Sequence, residues 1–116
     1  MKIYHYPNCS SCRKAIKFVD AAGLNAELID ISVQAPSLAE LKVMLTSYDG
    51  NLRKLFNTSG QMYRQMGLKD TLATMPEQEA LTLLADNGML VKRPFLLTPS
   101  GEGRVGFKLE EWQALL

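Results

Sequence analysis

Both cysteines of the chain stand in one short stretch, YPNCSSCRK at 6–14, as Cys9 and Cys12. Two thiols at this spacing can share a zinc ion, close a structural disulfide, or exchange electrons with an oxidant. A structural disulfide would close a loop of two intervening residues and restrict the unfolded chain little. Tetrahedral zinc needs four ligands, and beyond the thiols only His5 is a borderline-soft donor, so zinc would require ligands shared across a dimer. No metal and no bound cofactor are expected. Thiol redox chemistry is left, set against two inert, half-buried cysteines.

The elements around the pair favour chemistry. KIYHY at 2–6 is β-prone and runs into Pro7, which predicts a strand that stops at the loop before Cys9. From Ser11 onward Ala15, Ile16, Phe18, Val19 and Ala22 recur at helical spacing, and Gly23 stands where a C-cap is expected. The thiols therefore belong to the first turn of a helix. Free backbone N–H groups and the positive end of the helix dipole there favour thiolate over thiol. Cys9, the more N-terminal, reads as the exposed nucleophile, and Cys12, one turn along, as the thiol that resolves a mixed disulfide on Cys9. Arg13 and Lys14 add positive charge nearby. His5, at the strand end, either tunes the thiolate or is an ordinary strand histidine.

AELIDI at 26–31 predicts a second strand, parallel to the first across a crossover helix. Ser37-x-x-Glu40 and Thr74-x-x-Glu77 each read as a capping box before an apolar stripe. Between them Leu52, Leu55 and Phe56 suggest a short helix, Asn57–Gly60 a break, and Tyr63 and Met66 another short helix ending at Gly67. After Gly88, FLLT at 95–98 and RVGF at 104–107 read as an antiparallel hairpin across Pro99, Ser100 and Gly101. A last helix carries Leu109, Trp112 and Leu116 on one face. The sum is an α/β chain, β-α-β then a helical insert of about 37–88 then β-β-α. This is the outline of a thioredoxin-like domain with a four-stranded mixed sheet flanked by helices, and 1–116 reads as one domain. Arg93-Pro94 precedes the third strand, where an X-Pro bond can be cis. An arginine there offers a forked donor to an oxyanion or a substrate thiolate, or else is simply solvated.

At 116 residues and 47% hydrophobic content the chain has the size of one compact domain. A net charge of +1 provides no broad field for attracting nucleic acid or acidic lipid directly. No stretch approaches a membrane span and no signal-type N-terminus is present, which predicts a cytoplasmic protein whose thiols are kept reduced.

Four ordered motifs now carry a resemblance. YHYPNCSSCRKA at 4–15, FNTSGQMYRQMGLKD at 56–70, KRPFLL at 92–97 and the closing RVGF resemble the ArsC/Spx family over essentially the whole chain. The resemblance implies a thioredoxin-like fold with a helical insert. It also implies one of two functions: arsenate reduction coupled to glutathione, glutaredoxin or another dithiol protein such as thioredoxin, or Spx-like redox-sensing regulation through the α subunit of RNA polymerase. Cys9 matches the family nucleophile, His5 the histidine before it, and Arg93 the arginine before the family proline, Pro94. Asn57 occupies the place of a second oxyanion arginine and Phe107 falls near the third; Arg53 and Arg104 are candidates to compensate. A second cysteine at Cys12, and Gly50 after Tyr48-Asp49, are Spx-like features. The resemblance thus implies thiol redox chemistry with arsenate among the candidate substrates.

Overall fold

The computed structural model describes all of residues 1–116. Strand β1 (Lys2–His5) leads through a tight loop into helix α1 (Ser10–Ala21), and β2 (Glu27–Asp30) follows. The helical block comprises α2 (Leu38–Ser47), α3 (Gln61–Gln65), α4 (Leu68–Thr71) and α5 (Glu77–Asp86), joined in part by short 3₁₀ turns. β3 (Phe95–Leu97), β4 (Gly103–Val105) and α6 (Leu109–Leu115) close the chain. The sheet order is β2-β1-β3-β4, with β1 and β2 parallel and the other pairs antiparallel. This is the β-α-β, helical block, β-β-α order expected from the sequence.

Strand alternation decides which layer each side chain joins. Ile3 of β1 and Leu96 of β3 face Ala15 and Val19 of α1 and Trp112 of α6. Tyr4 and Phe95 point the other way, into the larger core built by the helical block, and their rings meet edge to face at 5.7 Å. Trp112 is fully buried, and its indole N–H donates to the Gly106 carbonyl at 3.1 Å. A buried indole must find such an acceptor, and this bond ties α6 to the end of the hairpin.

Three expectations are corrected. Thr74 does not cap α5: the helix starts at Glu77 behind Pro76, while the Thr74 hydroxyl donates to the Thr71 carbonyl at 3.3 Å. Proline at 76 biases Met75 away from helical backbone, and Met75 is extended, so the capping box cannot form. Leu109 and Leu116 do not share the buried face of α6 with Trp112; they are 45% and 39% exposed, and Leu115 packs inward instead. Helix α4 and the turns at 72–74 and 88–90 were not expected, since segments of three or four residues carry too little periodicity to register.

The other capping box forms as expected. Ser37 Oγ accepts from the Glu40 N–H at 3.1 Å and Glu40 Oε1 accepts from the Ser37 N–H at 2.9 Å. The same carboxylate accepts from Tyr4 Oη at 2.6 Å and Lys2 Nζ at 2.9 Å, so it joins α2 to β1. Burial pushes the Glu40 carboxyl up, but the donors from Ser37, Tyr4 and Lys2 outweigh it and hold the group below its ordinary value. A carboxylate depressed on folding contributes stability above its unfolded value, and that stability is lost as pH falls through the folded one. Glu40→Gln is therefore expected to cost about 1–2 kcal/mol in urea unfolding at pH 7 and progressively less as the pH falls through the depressed folded-state value and the parent carboxyl itself becomes protonated. A cost that does not change with pH across the acid range would show that the ionised form contributes nothing.

Candidate active site

Helix α1 begins at the thiols because Cys9 is its N-cap. The Cys9 backbone is extended, and its Sγ accepts the backbone N–H of Cys12 at 3.2 Å. A sulfur in the place of the usual serine or aspartate cap thus satisfies one of the free N–H groups of the first turn. Cys9 is half-buried, and Cys12, 0% exposed, sits beneath it. Both thiols are free. The loop before them is held at two points: the Cys9 N–H donates to the Tyr6 carbonyl at 3.0 Å, and Arg13 Nη1 donates to the Pro7 carbonyl at 2.7 Å. Arg13 therefore braces the loop that presents Cys9; its guanidinium is not hydrogen-bonded to sulfur.

The Cys12 thiol is pushed up to about 12. Burial is the main cause and the hydrogen bond with Cys9 the next, opposed by a Tyr6 backbone hydrogen bond and by the charge of Arg93. Cys12 is therefore a neutral thiol at neutral pH. Iodoacetamide is expected to alkylate Cys9 in the native protein and to reach Cys12 only on denaturation, as read by peptide mass spectrometry. Native alkylation of Cys12 in Cys9→Ser at the rate of a free cysteine would contradict this burial.

Arg93 completes the cluster. Its peptide bond to Pro94 is cis, and Pro94 is buried beside β3. The guanidinium lies 5.1 Å from the centroid of the Tyr6 ring, within cation–π range. Its Nε and Nη1 are buried without a hydrogen-bond partner. Buried donors are satisfied almost everywhere in folded proteins, so two N–H groups without a partner on one cation leave donor capacity that an acceptor can use. Tyr6 was not singled out in the sequence, although Tyr4 and Tyr6 share a strand face and the loop begins at Pro7.

The other sequence candidates make contacts of their own. His5 is matched in register with Asp30 across the parallel pair, and its ring makes no hydrogen bond to either sulfur. Asp30 lies below its ordinary carboxylate value chiefly through the Ser32 hydroxyl and N–H, with His5 a lesser contributor. Asn57 donates its backbone N–H to the Leu90 carbonyl at 2.7 Å, and its Oδ1 accepts from Ser59 Oγ at 3.3 Å, so it builds the turn before α3. Phe107 packs with Trp112 at 5.1 Å and with Phe18 at 6.0 Å. Arg104 turns back to its neighbouring Gly103 carbonyl at 2.7 Å, with Glu111 at 3.8 Å. Arg53, together with Phe107, lines a cleft of about 810 Å³ whose wall also includes Ser11 and Arg93.

No group of three His, Cys, Asp or Glu side chains is placed to hold a metal ion, and no helix is long and apolar enough to cross a membrane. The chemistry available is that of a capped thiol above a buried one, beside an arginine with free donors.

The chain is similar to known proteins over nearly its whole length. YusI of Bacillus subtilis strain 168 is 45% identical over 114 residues, covering 97% of this chain and 95% of its own. An arsenate reductase of Neisseria meningitidis serogroup A is 29% identical over 117 residues, covering 100% of this chain and 97% of its own. A crystal structure of a protein from Bacteroides fragilis superposes with a TM-score of 0.90 at 39% identity, covering 99% of this chain and 96% of that one. The mixed sheet flanked by helices is a thioredoxin-like fold, shared with the Bacteroides fragilis protein. The ArsC family model matches residues 4–115, and with a capped CxxC at the head of α1 and relatives alike over their full length, the chain belongs to the ArsC family.

Proposed function

We propose that the protein is a thiol-dependent reductase in which Cys9 is the nucleophile, Arg93 binds the anionic part of the oxidised substrate, and Cys12 is the resolving thiol. The observation that carries this reading is the pairing of a half-buried Cys9 Sγ at the head of α1 with the orphan donors of Arg93. Pro94 fixes Arg93 at the start of β3, Tyr6 stacks on it, and Arg13 keeps the Cys9 loop in place.

With arsenate as substrate, Cys9 sulfur attacks arsenic and one oxygen leaves as water. A second thiol then attacks Cys9 sulfur, a disulfide forms, and arsenite leaves carrying the two electrons the thiols gave up. With a disulfide as substrate, Cys9 attacks one sulfur, the other departs as thiolate, and the mixed disulfide is resolved in the same way. Glutathione with glutaredoxin, or a dithiol protein such as thioredoxin, regenerates the two cysteines. Because Cys12 is a neutral thiol at neutral pH, external thiol resolves the adduct in parallel with it. The arsenate reductase name of the Neisseria relative supports arsenate as one substrate.

The Spx-like regulator reading drew on the second cysteine, Cys12, which a reductase uses equally well as a resolving thiol, and on Gly50. In the structure that glycine ends α2: Asp49 and Gly50 have φ of 55° and 82°, and the Gly50 N–H donates to the Leu45 carbonyl at 2.9 Å. A left-handed turn accounts for the glycine without a partner, and the reductase reading is preferred. The test is glutaredoxin-coupled NADPH oxidation with arsenate and, separately, with hydroxyethyl disulfide. A Cys9-dependent rate with at least one oxidant is expected. Absence of any such rate with both, together with retention of the C-terminal domain of the polymerase α subunit in a redox-controlled pull-down, would reverse the preference.

A further inference from the structure

The charge of this molecule is segregated, although its net value is only +1. The cleft that meets the head of α1 at Ser11 gathers Arg53, Lys54, Lys69, Lys92, Arg93 and Lys108, against Glu111 as its one carboxylate. Six of the 13 basic residues and one of the 12 acidic ones therefore line a single concavity, and the rest of the surface is net acidic. Of the six cations only Lys108 lies within ion-pair distance of a carboxylate, at 3.7 Å from Glu111, which is also shared with Arg104. Five like charges held together without counter-charges repel one another, and that arrangement is relieved by binding an anion.

Two further observations define the anion. The cleft volume of about 810 Å³ lies in the range of small-molecule sites, roughly 300–1,000 Å³. Ser11, the residue between the reactive thiols, forms part of its wall, so a bound molecule lies alongside the head of α1. Arsenate or a single carboxylate needs only the donors of Arg93, whereas the five remaining cations extend the positive field over the rest of the cleft. Lysine ammonium groups on such a rim act as mobile point charges suited to phosphates.

We propose that this cleft selects, as the oxidised substrate of the reductase inferred above, a low-molecular-weight disulfide that carries several negative charges, of the kind a phosphorylated thiol forms. The Cys9 thiolate attacks the nearer sulfur, the substrate S–S bond breaks, and one half leaves as thiolate. The other half stays bonded to Cys9 with its phosphates in the cleft. Attack on Cys9 sulfur by Cys12 or an external thiol releases that half as a second thiolate. Two protein or reductant thiols have then given two electrons to one disulfide, and an external dithiol restores the cysteines.

The test uses the pre-reduced full chain and three disulfides of rising charge: hydroxyethyl disulfide, oxidised glutathione and oxidised coenzyme A. The second-order rate is expected to rise along that series, with oxidised coenzyme A at least about tenfold above the neutral disulfide at low salt and the advantage shrinking as salt is added. In Lys54→Glu/Lys69→Glu the ratio of the coenzyme A rate to the neutral rate is expected to fall about tenfold, and in Lys17→Glu, half that charge change on an exposed face of α1, to stay unchanged. A ratio near one in the parent, or an equal fall in Lys17→Glu, overturns the proposal. Calorimetric binding of reduced coenzyme A to Cys9→Ser separates the two readings. Salt-sensitive binding lost in Lys54→Glu/Lys69→Glu keeps the polyanion site even where no disulfide is reduced, a result that counts against the reductase; no binding, with the neutral disulfide still reduced, rejects the site alone.

Discussion

Cys9→Ser is expected to bring turnover down to the uncatalysed background with every oxidant, a loss of about 10³-fold or more. A hydroxyl in the Cys9 position can still accept the Cys12 N–H and cap α1, so the variant should fold, and thermal unfolding close to that of the parent checks this. What it lacks is a sulfur able to form the adduct and supply electrons. Cys12→Ser is expected to behave differently. With its thiol raised by burial, Cys12 is a slow attacking group at neutral pH, so external glutathione resolves the adduct in parallel with it. Part of that elevation comes from Cys9 itself and is relieved once Cys9 sulfur is bonded to substrate, but burial, the larger cause, remains. Glutathione-driven turnover of Cys12→Ser should stay within a few-fold of the parent at pH 7, and the parent's advantage should grow toward alkaline pH. Rates measured across pH 6 to 10 for both proteins decide the matter. A Cys9→Ser enzyme that keeps parental activity would remove the nucleophile from this mechanism.

Arg93→Ala is expected to lower kcat/KM for arsenate about 10²–10³-fold, equivalent to about 2.7–4 kcal/mol of lost transition-state stabilisation. The size follows from geometry: Nε and Nη1 are buried, fixed against Tyr6, and spend none of their donor capacity on the protein. Donors held in place without a partner bind developing negative charge with little reorganisation. Arg93→Lys should recover only part of the loss, because an ammonium cannot present two parallel donors or stack flat on the tyrosine ring. A neutral disulfide should be affected far less than arsenate. A fall below threefold with arsenate, or an equal fall with both substrates, would assign Arg93 to structure and leave the anion to the lysines of the cleft.

Much of the fold was legible because its determinants are local. Apolar spacing from Ala15 to Ala22 makes α1, the Ser37–Glu40 reciprocal bonds start α2, and turn residues at Pro99–Gly101 set the hairpin. The Thr74 box fails for a reason equally local: its pattern is present, but the proline at 76 outweighs it. The face of α6 was not legible because Leu109 and Leu116 lie at its two ends, where Trp112 and Leu115 alone reach the sheet.

That two thiols stand at the head of a helix follows from the residues alone, since strand, proline, CxxC and apolar period all lie within some twenty residues and need no distant partner. Their surroundings come from packing between distant segments. The folded chain sets His5 beside Asp30, gives Asn57 to a turn and Arg13 to the Pro7 carbonyl, and leaves Arg93 with free donors over Tyr6. It also brings cations from 53 to 108 into one cleft, a concentration of charge that a net value of +1 conceals. A helix start is fixed by hydrogen bonds spanning three or four residues, whereas an electrostatic site depends on chain segments that only the packed sheet brings together.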